Sequence, residues 1–354
     1  MRSARYCGNV PRRSWIIGRS HILRRFFPSG AEARRNVFGE LGDILTIRSI
    51  MLINLALYQQ AVSFTPDLVY CNDLDTLLTG VLFKVRHNTT LCYDAHEIYP
   101  EQFAEHMRSD LWYQFYSGLE HRLLSYTDGR VTVCNSLGDY FRKTYHAEPF
   151  LTVRNTPSIR YLPDASILER RNRPVRVFYH GNYFQYRGLD EIIAIAGEVD
   201  DAVFAFRGMG DHESQLRAQV AMRNLEHRVR FEEPVTIDEL IPMASLCDVG
   251  LSPFISVCLN TEYALPNKFF EYMMAGMALA SADLVEMRLL TQHLDNGLLF
   301  APYNSEDIAR SLKRLVLDQE RLHFYRRQSY EAARAEFHWE NEEKKLQRFL
   351  RQLP

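Results

Sequence analysis

The stretch EYALPNKFFEYMMAG, residues 262–276, sets a lysine and a glutamate, three residues apart, into an otherwise apolar and aromatic segment. Helical spacing puts Lys268, Glu271 and Tyr272 on one side and turns the phenylalanines and methionines towards a core. Pro266 suits the first turn, where backbone N–H groups have no intrahelical partner. A helix N-terminus with a cation beside it suits an anionic ligand. The alternative is a buried helix in which Lys268 and Glu271 pair with each other.

Short apolar runs alternate with longer amphipathic segments on the amino-terminal side of this stretch and just beyond it. The strand-like runs are PDLVYCND, TTLCYDAHE, GRVTVCNS and PFLTVRNTP, and then VRVFYHGN, AVFAFRGMG, RVRFEEPV, CDVGLSPF and MALASAD. This alternation predicts parallel sheets covered by helices on both faces. Residues 155–173 interrupt the pattern with turn residues and charges. The sequence therefore predicts an α/β protein of two Rossmann-like domains that face a cleft, where open α/β sheets bind ligands.

The composition fits a globular protein of two domains, since the chain has 354 residues. Its six cysteines are scattered without a CxxC pair, which favours a reducing compartment and argues against a zinc site. No run of apolar residues is long enough for a membrane span, because charged and amide side chains interrupt the longest one. The N-terminus lacks the apolar core of a secretory signal. We expect a cytoplasmic protein.

Positive charge is concentrated at the N-terminus. Residues 1–35 contain nine arginines and a single acidic residue, although the whole chain has a net charge of −2. Such a segment could touch the inner face of a membrane or an anionic acceptor. It could equally be a solvated chain end. Nucleic acid is a poor candidate partner, because the rest of the chain is acidic.

Glycines and polar residues end several predicted strands of the second half. Gly181 and Asn182 end one strand, and Arg187 opens the next helix, so a guanidinium and a helix N-terminus would face the same ligand. The following strand also ends in a glycine turn. Together with the helix start at Pro266–Lys268, these loops predict a diphosphate site formed by cations and backbone amides without a metal ion.

Polar residues also end the predicted strands of the first half. Asp73 follows one strand, and His96 and Glu97 follow the next. His96 could face a ligand or be a hydrogen-bonded structural histidine. Asp73 could instead cap the helix after it, and Glu97 could be a cleft carboxylate or a helix-start residue.

The motifs resemble those of family 4 of the retaining glycosyltransferases, which have the GT-B fold. The resemblance extends from about residue 38 to the C-terminus, and its most specific segments are LPNKFFEYMMAG and YDAHE. Further segments occur in the same order as in that family: PDLVYCNDLDTLLTG, VCNSLGDYF, YHGNYFQYRGLDE, FRGMGDHESQL, RVRFEEPVTIDELIPMASLCDVGLSPF and FHWENEEKKL.

The resemblance implies a role for each main candidate residue. Glu271 would bind the ribose hydroxyls of a nucleotide-diphosphate sugar, Arg187 would contact its diphosphate, and Lys268 would lie at the phosphate or the sugar. His96 would face the transferred sugar or the acceptor. His96, Arg187 and Lys268 are the candidate catalytic residues. The candidate donor-binding residues are Gly181, Asn182, Arg187, Gly208, Gly210, Pro266, Asn267, Lys268 and Glu271. The candidate acceptor-side residues are Asp73, His96 and Glu97.

The resemblance also implies domain boundaries. An N-terminal acceptor-side domain would span residues 1–157, and a linker would span 158–172. The domain that binds the nucleotide-sugar would span 173–335, and a C-terminal helix in 336–354 would cross back to the first domain. The first strand and glycine-rich loop of the GT-B fold have no counterpart in the sequence, so the N-terminal domain is expected to lack them or to be rebuilt there.

The sequence departs from the family pattern at two further positions. Asn182 stands where many relatives have a basic residue, so the charge would come from Lys268 or Arg207. Tyr263 stands where many have a second glutamate, with Glu262 beside it.

The predicted function is a retaining, metal-independent glycosyltransferase that needs no cofactor. It would move a sugar from a nucleotide-diphosphate sugar to a polysaccharide, glycolipid or other glycan acceptor. The alternatives are a catalytically inactive GT-B subunit that binds or activates a partner transferase, and a nucleotide-sugar epimerase.

Overall fold

A computed structural model describes residues 14–17, 31–103 and 109–354, with side chains from residue 42 onwards. The chain forms two compact units. The first contains the chain up to Val153 together with Val257–Asn260 and Glu343–Pro354, and the second contains Arg154–Ser256 and Thr261–Glu342. Most of the arginine-rich segment, and with it the predicted membrane contact, lies outside the described residues.

The first unit is built on a parallel sheet of five strands that lie in the order of the chain, β1-β2-β3-β4-β5. These strands are β1 (Ser14–Ile17), β2 (Leu68–Asn72), β3 (Thr90–Ala95), β4 (Gly129–Thr132) and β5 (Leu151–Thr152). Its helices are α1 (Ala31–Ala61), α2 (Leu74–His87), α3 (Asp110–Leu124) and α4 (Asn135–Tyr145).

Helix α1 packs on α2 through a buried amide. Asn54 donates a hydrogen bond to the carbonyl of Asp75 at 2.8 Å, and its own side-chain oxygen accepts from the hydroxyl of Thr79 at 2.8 Å. The polar residue that interrupts the longest apolar run therefore fixes the contact between two helices. Among the described residues, no helix has both the length and the hydropathy needed to cross a bilayer.

The second unit is built on a parallel sheet of six strands in the order β11-β10-β9-β6-β7-β8. The strands are β6 (Val175–His180), β7 (Ala202–Arg207), β8 (Val229–Glu232), β9 (Val249–Ser252), β10 (Ala278–Ala282) and β11 (Gly297–Phe300). The central strands are buried on both faces, as expected for parallel strands covered by helices.

Nine α-helices follow β5 in the described part of the chain. All of them belong to the second unit except parts of the eighth and the thirteenth helix, which extend into the first. They are α5 (Leu189–Ile195), α6 (Glu213–Met222), α7 (Ile237–Ala244), α8 (Leu259–Glu262), α9 (Asn267–Met274), α10 (Val285–Leu294), α11 (Ser305–Leu317), α12 (Gln319–Ala335) and α13 (Trp339–Leu350). Helix α9 is the predicted helix of the opening stretch. Its phenylalanines are buried, at 0% and 1% exposure.

The predicted fold class, two Rossmann-like units with parallel sheets, is confirmed. The sequence pattern missed two strands. Ser14–Ile17 pairs in parallel with Leu68–Cys71 at the edge of the first sheet, so this sheet has a strand before the first one predicted. Gly297–Phe300 is the other. Both have only four residues and lie at an edge of their sheet.

The predicted domain limits and the units of the structure differ in detail. Residues 158–172, predicted as a linker, lie within the second unit. The guanidinium of Arg326 donates to the carbonyls of Arg170 and Ile167, both at 2.7 Å, which ties this segment to α12. The last residues, from Glu343, belong to the first unit. The predicted cleft between the domains stays a prediction.

Candidate functional site

The six-stranded sheet reverses its strand order at β6, which lies between β7 and β9. In open α/β sheets the crevice outside the carboxyl ends of the strands at such a point is the usual ligand site. Strand β6 ends at His180 and β9 at Ser252, and Gly181 and Pro253 follow them. The residues predicted for donor binding in the second half of the chain belong to this unit.

The glycines of this edge bring two strand ends close together. Gly181 has φ of +127° and Gly208 has φ of +156°. A Cβ atom on Gly208 would lie 2.0 Å from the carbonyl oxygen of Gly181, and one on Gly210 would lie 2.2 Å from that of Tyr183. Close backbone packing between these loops thus explains why positions 208 and 210 are both glycine. The explanation does not depend on a ligand.

Lys268 is a buried cation without a carboxylate partner. Its Nζ lies 3.8 Å from the centre of the Tyr179 ring and 5.2 Å from that of Phe254. Its residue is 9% exposed, and among the described residues no carboxylate lies within ion-pair distance of Nζ. Burial, and next the charge of Arg187, hold the pKa of Lys268 well below its usual value, against the opposing effect of Glu271. An anionic ligand would supply the missing counter-charge.

Arg187 approaches the same aromatic ring. Its Cζ lies 4.7 Å from the centre of the Phe254 ring, so Phe254 contacts both cations. Among the described residues no carboxylate lies within ion-pair distance of Arg187. Arg207, by contrast, pairs with Glu232 and donates to the carbonyl of Glu233 at 3.0 Å. Of the two residues expected to replace a base at position 182, Arg207 therefore has a carboxylate partner, and Lys268 has none among the described residues.

Glu271 lies beside His180 rather than beside Lys268. Its Oε2 is 3.1 Å from Nε2 of His180, and the two side chains are 12% and 11% exposed. The alternative in which Lys268 and Glu271 form an ion pair is therefore not realised. The carboxylate of Glu271 is available to accept hydrogen bonds from a ligand with hydroxyl groups.

Tyr272 is buried in α9, and both Tyr272 and Glu271 contact His180. The ring is fully buried over Gly250, where a Cβ atom would lie 2.3 Å from Cγ of Tyr272. The backbone N–H of His180 donates to the Tyr272 hydroxyl at 3.1 Å. The tyrosine thus fixes the end of β6 to the helix.

The remaining donor-side candidates surround the start of α9 and the loop after β6. Pro266 lies just before the helix, which begins at Asn267, so Pro266 is the N-cap residue and not part of the first turn. Asn182 is exposed, and its carbonyl accepts from the hydroxyl of Tyr179 at 3.0 Å. This bond holds the ring on which Lys268 rests.

The first unit brings Asp73 and His96 together at the ends of β2 and β3. The backbone N–H of His96 donates to Oδ1 of Asp73 at 3.0 Å. The ring Nε2 lies 3.0 Å from Oδ2 of Asp94, which also accepts from the hydroxyl of Tyr70 at 2.8 Å. Burial alone would lower the pKa of His96, but the charge and hydrogen bond of Asp94 raise it to about 9. A histidine held in this way is a cation at neutral pH.

The carboxylate of Glu97 bonds to residues other than Asp73 and His96. One carboxylate oxygen accepts from Nε2 of Gln102 at 2.8 Å, and the other lies 3.5 Å from Nδ2 of Asn260. Asn260 also accepts from the backbone N–H of Ile98 at 2.9 Å. These bonds give Glu97 a structural role in joining residues 257–260 to the first unit.

Sequence reasoning missed four residues of these two clusters: His180, Phe254, Tyr70 and Asp94. Two of them had a signal. Asp94 and His96 are two residues apart at the end of a strand, so their side chains share one face. His180 directly precedes Gly181 in the motif YHGN. Among the described residues, no group of three or more His, Cys, Asp or Glu side chains is arranged to hold a metal ion.

A comparison with protein families identifies the class of the second unit. Residues 174–318 match the model of the family "Glycosyl transferases group 1". These residues contain both glycine loops and the whole of α9. The second unit is therefore similar to a group 1 glycosyltransferase domain. No curated protein sequence matches the chain.

Solved structures of GT-B glycosyltransferases share the fold of both units. Anabaena HepE in complex with UDP has a TM-score of 0.74 at 16% identity, over 96% of this chain and 100% of that one. Sucrose-phosphate synthase of Thermosynechococcus elongatus has a TM-score of 0.73 at 16% identity, over 86% and 78% of the two chains. The pneumococcal O-GlcNAc transferase GtfA, with UDP and GlcNAc, has a TM-score of 0.60 at 18% identity, over 80% and 56%.

Proposed function

We propose that this protein is a retaining, metal-independent glycosyltransferase of the GT-B class that uses a UDP-sugar and a glycan or lipid-linked acceptor. The observation that carries the proposal is Lys268, a buried cation at the switch point of the donor-side sheet with no carboxylate within ion-pair distance in the described part of the chain. UDP is proposed as the nucleotide because HepE and GtfA were solved with it.

Side chains of the second unit would bind the ribose of the donor and stabilise the departing diphosphate. Lys268 and Arg187 would stabilise the charge that develops on the diphosphate as the bond to the sugar breaks. Their two positive charges, together with the N–H groups at the start of α9, would do what a divalent cation does in metal-dependent transferases. Glu271 would accept hydrogen bonds from the ribose.

His96 would act from the first unit. Held as a cation by Asp94, its imidazolium can donate to an oxygen of the transferred sugar or of the acceptor. In a retaining reaction the acceptor attacks the face from which the diphosphate leaves, and the leaving phosphate takes the acceptor proton. No carboxylate nucleophile is needed, and we assign none.

Calorimetric titration with UDP, GDP, dTDP and CDP in the presence of EDTA tests the donor site. We expect UDP to bind at micromolar concentrations, and we expect Glu271→Ala to bind it at least tenfold more weakly, as is usual for loss of a charged hydrogen-bond partner. The exposed Glu226→Ala is a matched control that should bind like the wild type. Absence of binding to all four nucleotides would contradict the proposal.

A second measurement separates a transferase from the inactive-subunit and epimerase alternatives. UDP-glucose labelled at C1 is incubated with the protein and a panel of glycan and lipid-linked acceptors, and products are followed by NMR. A product with the anomeric configuration of the donor supports a retaining transferase. Conversion of the nucleotide-sugar into another without an acceptor would indicate an epimerase. Binding of UDP without turnover on any acceptor would favour the subunit.

A further inference from the structure

His180 is a buried histidine with an unused ring nitrogen at the end of β6. The residue is 8% exposed, and its ring meets that of Tyr272 edge-on, with centroids 5.1 Å apart and an interplanar angle of 84°. Its backbone N–H is held by the Tyr272 hydroxyl. The position of the imidazole is therefore determined by packing on α9.

The ring Nε2 is close to Glu271 but does not bond to it. The two atoms are 3.1 Å apart, within ion-pair distance, yet this buried nitrogen makes no hydrogen bond to any of the described residues. A buried polar atom without a partner destabilises the free protein. Such an atom in a ligand site is commonly satisfied by the ligand.

We propose that His180 and Glu271 together bind the vicinal diol of the nucleotide ribose, with Nε2 of His180 hydrogen-bonded to one hydroxyl and the Glu271 carboxylate to the other. Two polar atoms 3.1 Å apart match two hydroxyl groups on adjacent carbons. One of these atoms belongs to an imidazole, which can donate or accept, and the other to a carboxylate, which accepts. The inference rests on the proposed function and assigns a specificity-determining residue to its donor site.

If the role of His180 is purely structural, its replacement is expected to have a different effect on nucleotide binding. If His180 only packs against Tyr272 or orients Glu271, its replacement weakens every nucleotide by the same factor. If it bonds to one hydroxyl, the effect depends on whether that hydroxyl is present. A double-mutant cycle between the side chain and the ligand group separates the two cases.

The experiment titrates the full chain with UDP, 2′-deoxy-UDP and 3′-deoxy-UDP. His180→Phe keeps a ring against Tyr272 and removes Nε2, and His180→Gln keeps a polar group near that position. We expect the wild type to bind each deoxy compound about tenfold more weakly than UDP. His180→Phe should weaken UDP about tenfold and leave one of the two deoxy compounds almost unchanged. His180→Gln should recover much of the binding of UDP. Thermal unfolding confirms that both variants are folded.

Three outcomes decide the matter. Selective loss in His180→Phe supports the proposal. An equal loss for all three ligands, or none, overturns it while leaving the donor site intact, provided that Glu271→Ala still abolishes binding. If the wild type binds no nucleoside diphosphate, the proposed function fails, and this inference fails with it.

Discussion

The two edges of the six-stranded sheet bury their cations in opposite ways. At the amino edge, Arg326 is 1% exposed, lies 3.5 Å from Asp248, and donates to the carbonyls of Gly276, Arg170 and Ile167. At the carboxyl edge, Lys268 is also buried but lies against the Tyr179 and Phe254 rings, and among the described residues it has no ion-pair partner. The first cation is satisfied by the protein, and the second is left for a ligand.

The two buried residues of this domain are therefore expected to differ in role: Arg326 contributes to stability and Lys268 to function. A buried cation with all its partners is expected to matter for folding, because its removal takes away the cation 3.5 Å from the buried Asp248. Burying a cation without acceptors destabilises the folded protein by the cost of its desolvation. This cost is offset only when an anion binds. Replacing each cation with methionine, which has a similar length, therefore tests the comparison directly.

The largest effect is expected for Arg326→Met. It removes the cation beside the buried carboxylate of Asp248 and leaves three carbonyl oxygens without their donor, so the free energy of unfolding should fall by about 3–5 kcal/mol. Urea denaturation measures it. The exposed Arg327→Met on the same helix is the control and should change stability little. If Arg326→Met has the same free energy of unfolding as the wild type, the ion pair between Arg326 and Asp248 does not stabilise the fold.

Lys268→Met should have the converse effect. We expect loss of about 10²–10³ in kcat/KM for sugar transfer, typical of removing one group that stabilises transition-state charge. The melting temperature should stay the same or rise, because a desolvated ammonium is replaced by an apolar side chain. Calorimetry with UDP and thermal unfolding of the same sample measure both. A variant that is destabilised and still transfers sugar would reverse the comparison.

The sequence predicted both sheets and the position of Lys268, because strand–helix alternation and the segment LPNKFFEY are local patterns. It did not predict the environment of Lys268. Tyr179 lies in β6 and Phe254 in the loop after β9, and nothing local shows that their rings meet at Lys268. The same holds for His180 beside Glu271. Helical spacing also did not show that packing over Gly250 buries Tyr272.

A smaller effect is expected for Gly181→Ala, which crowds the site without removing a charge. The position has φ of +127°, and the added Cβ would lie 3.1 Å from Nζ of Lys268. Backbone strain should cost about 1–3 kcal/mol of stability, and displacement of the ammonium should weaken UDP binding. The control is Gly118→Ala in α3, where nothing lies within 4 Å of the new Cβ. That change should stabilise by roughly 0.5–1 kcal/mol, since alanine favours helices. Equal outcomes for the two variants would contradict this.

The smallest effect concerns His96, a cationic group that does have a carboxylate partner. Its pKa is raised to about 9, so protonation stabilises the folded state fully below the ordinary value near 6.5, and this contribution is lost as the pH rises through 9. In Asp94→Asn the main factors that raise it are gone, and burial should bring the pKa of His96 below 6.5. Two-dimensional NMR of the imidazole resonances measures both titrations. The wild type should lose roughly 1 kcal/mol or less more than the variant between pH 6.5 and 9, because the pair is partly exposed. An unchanged titration in Asp94→Asn would show that Asp94 does not control the charge of His96.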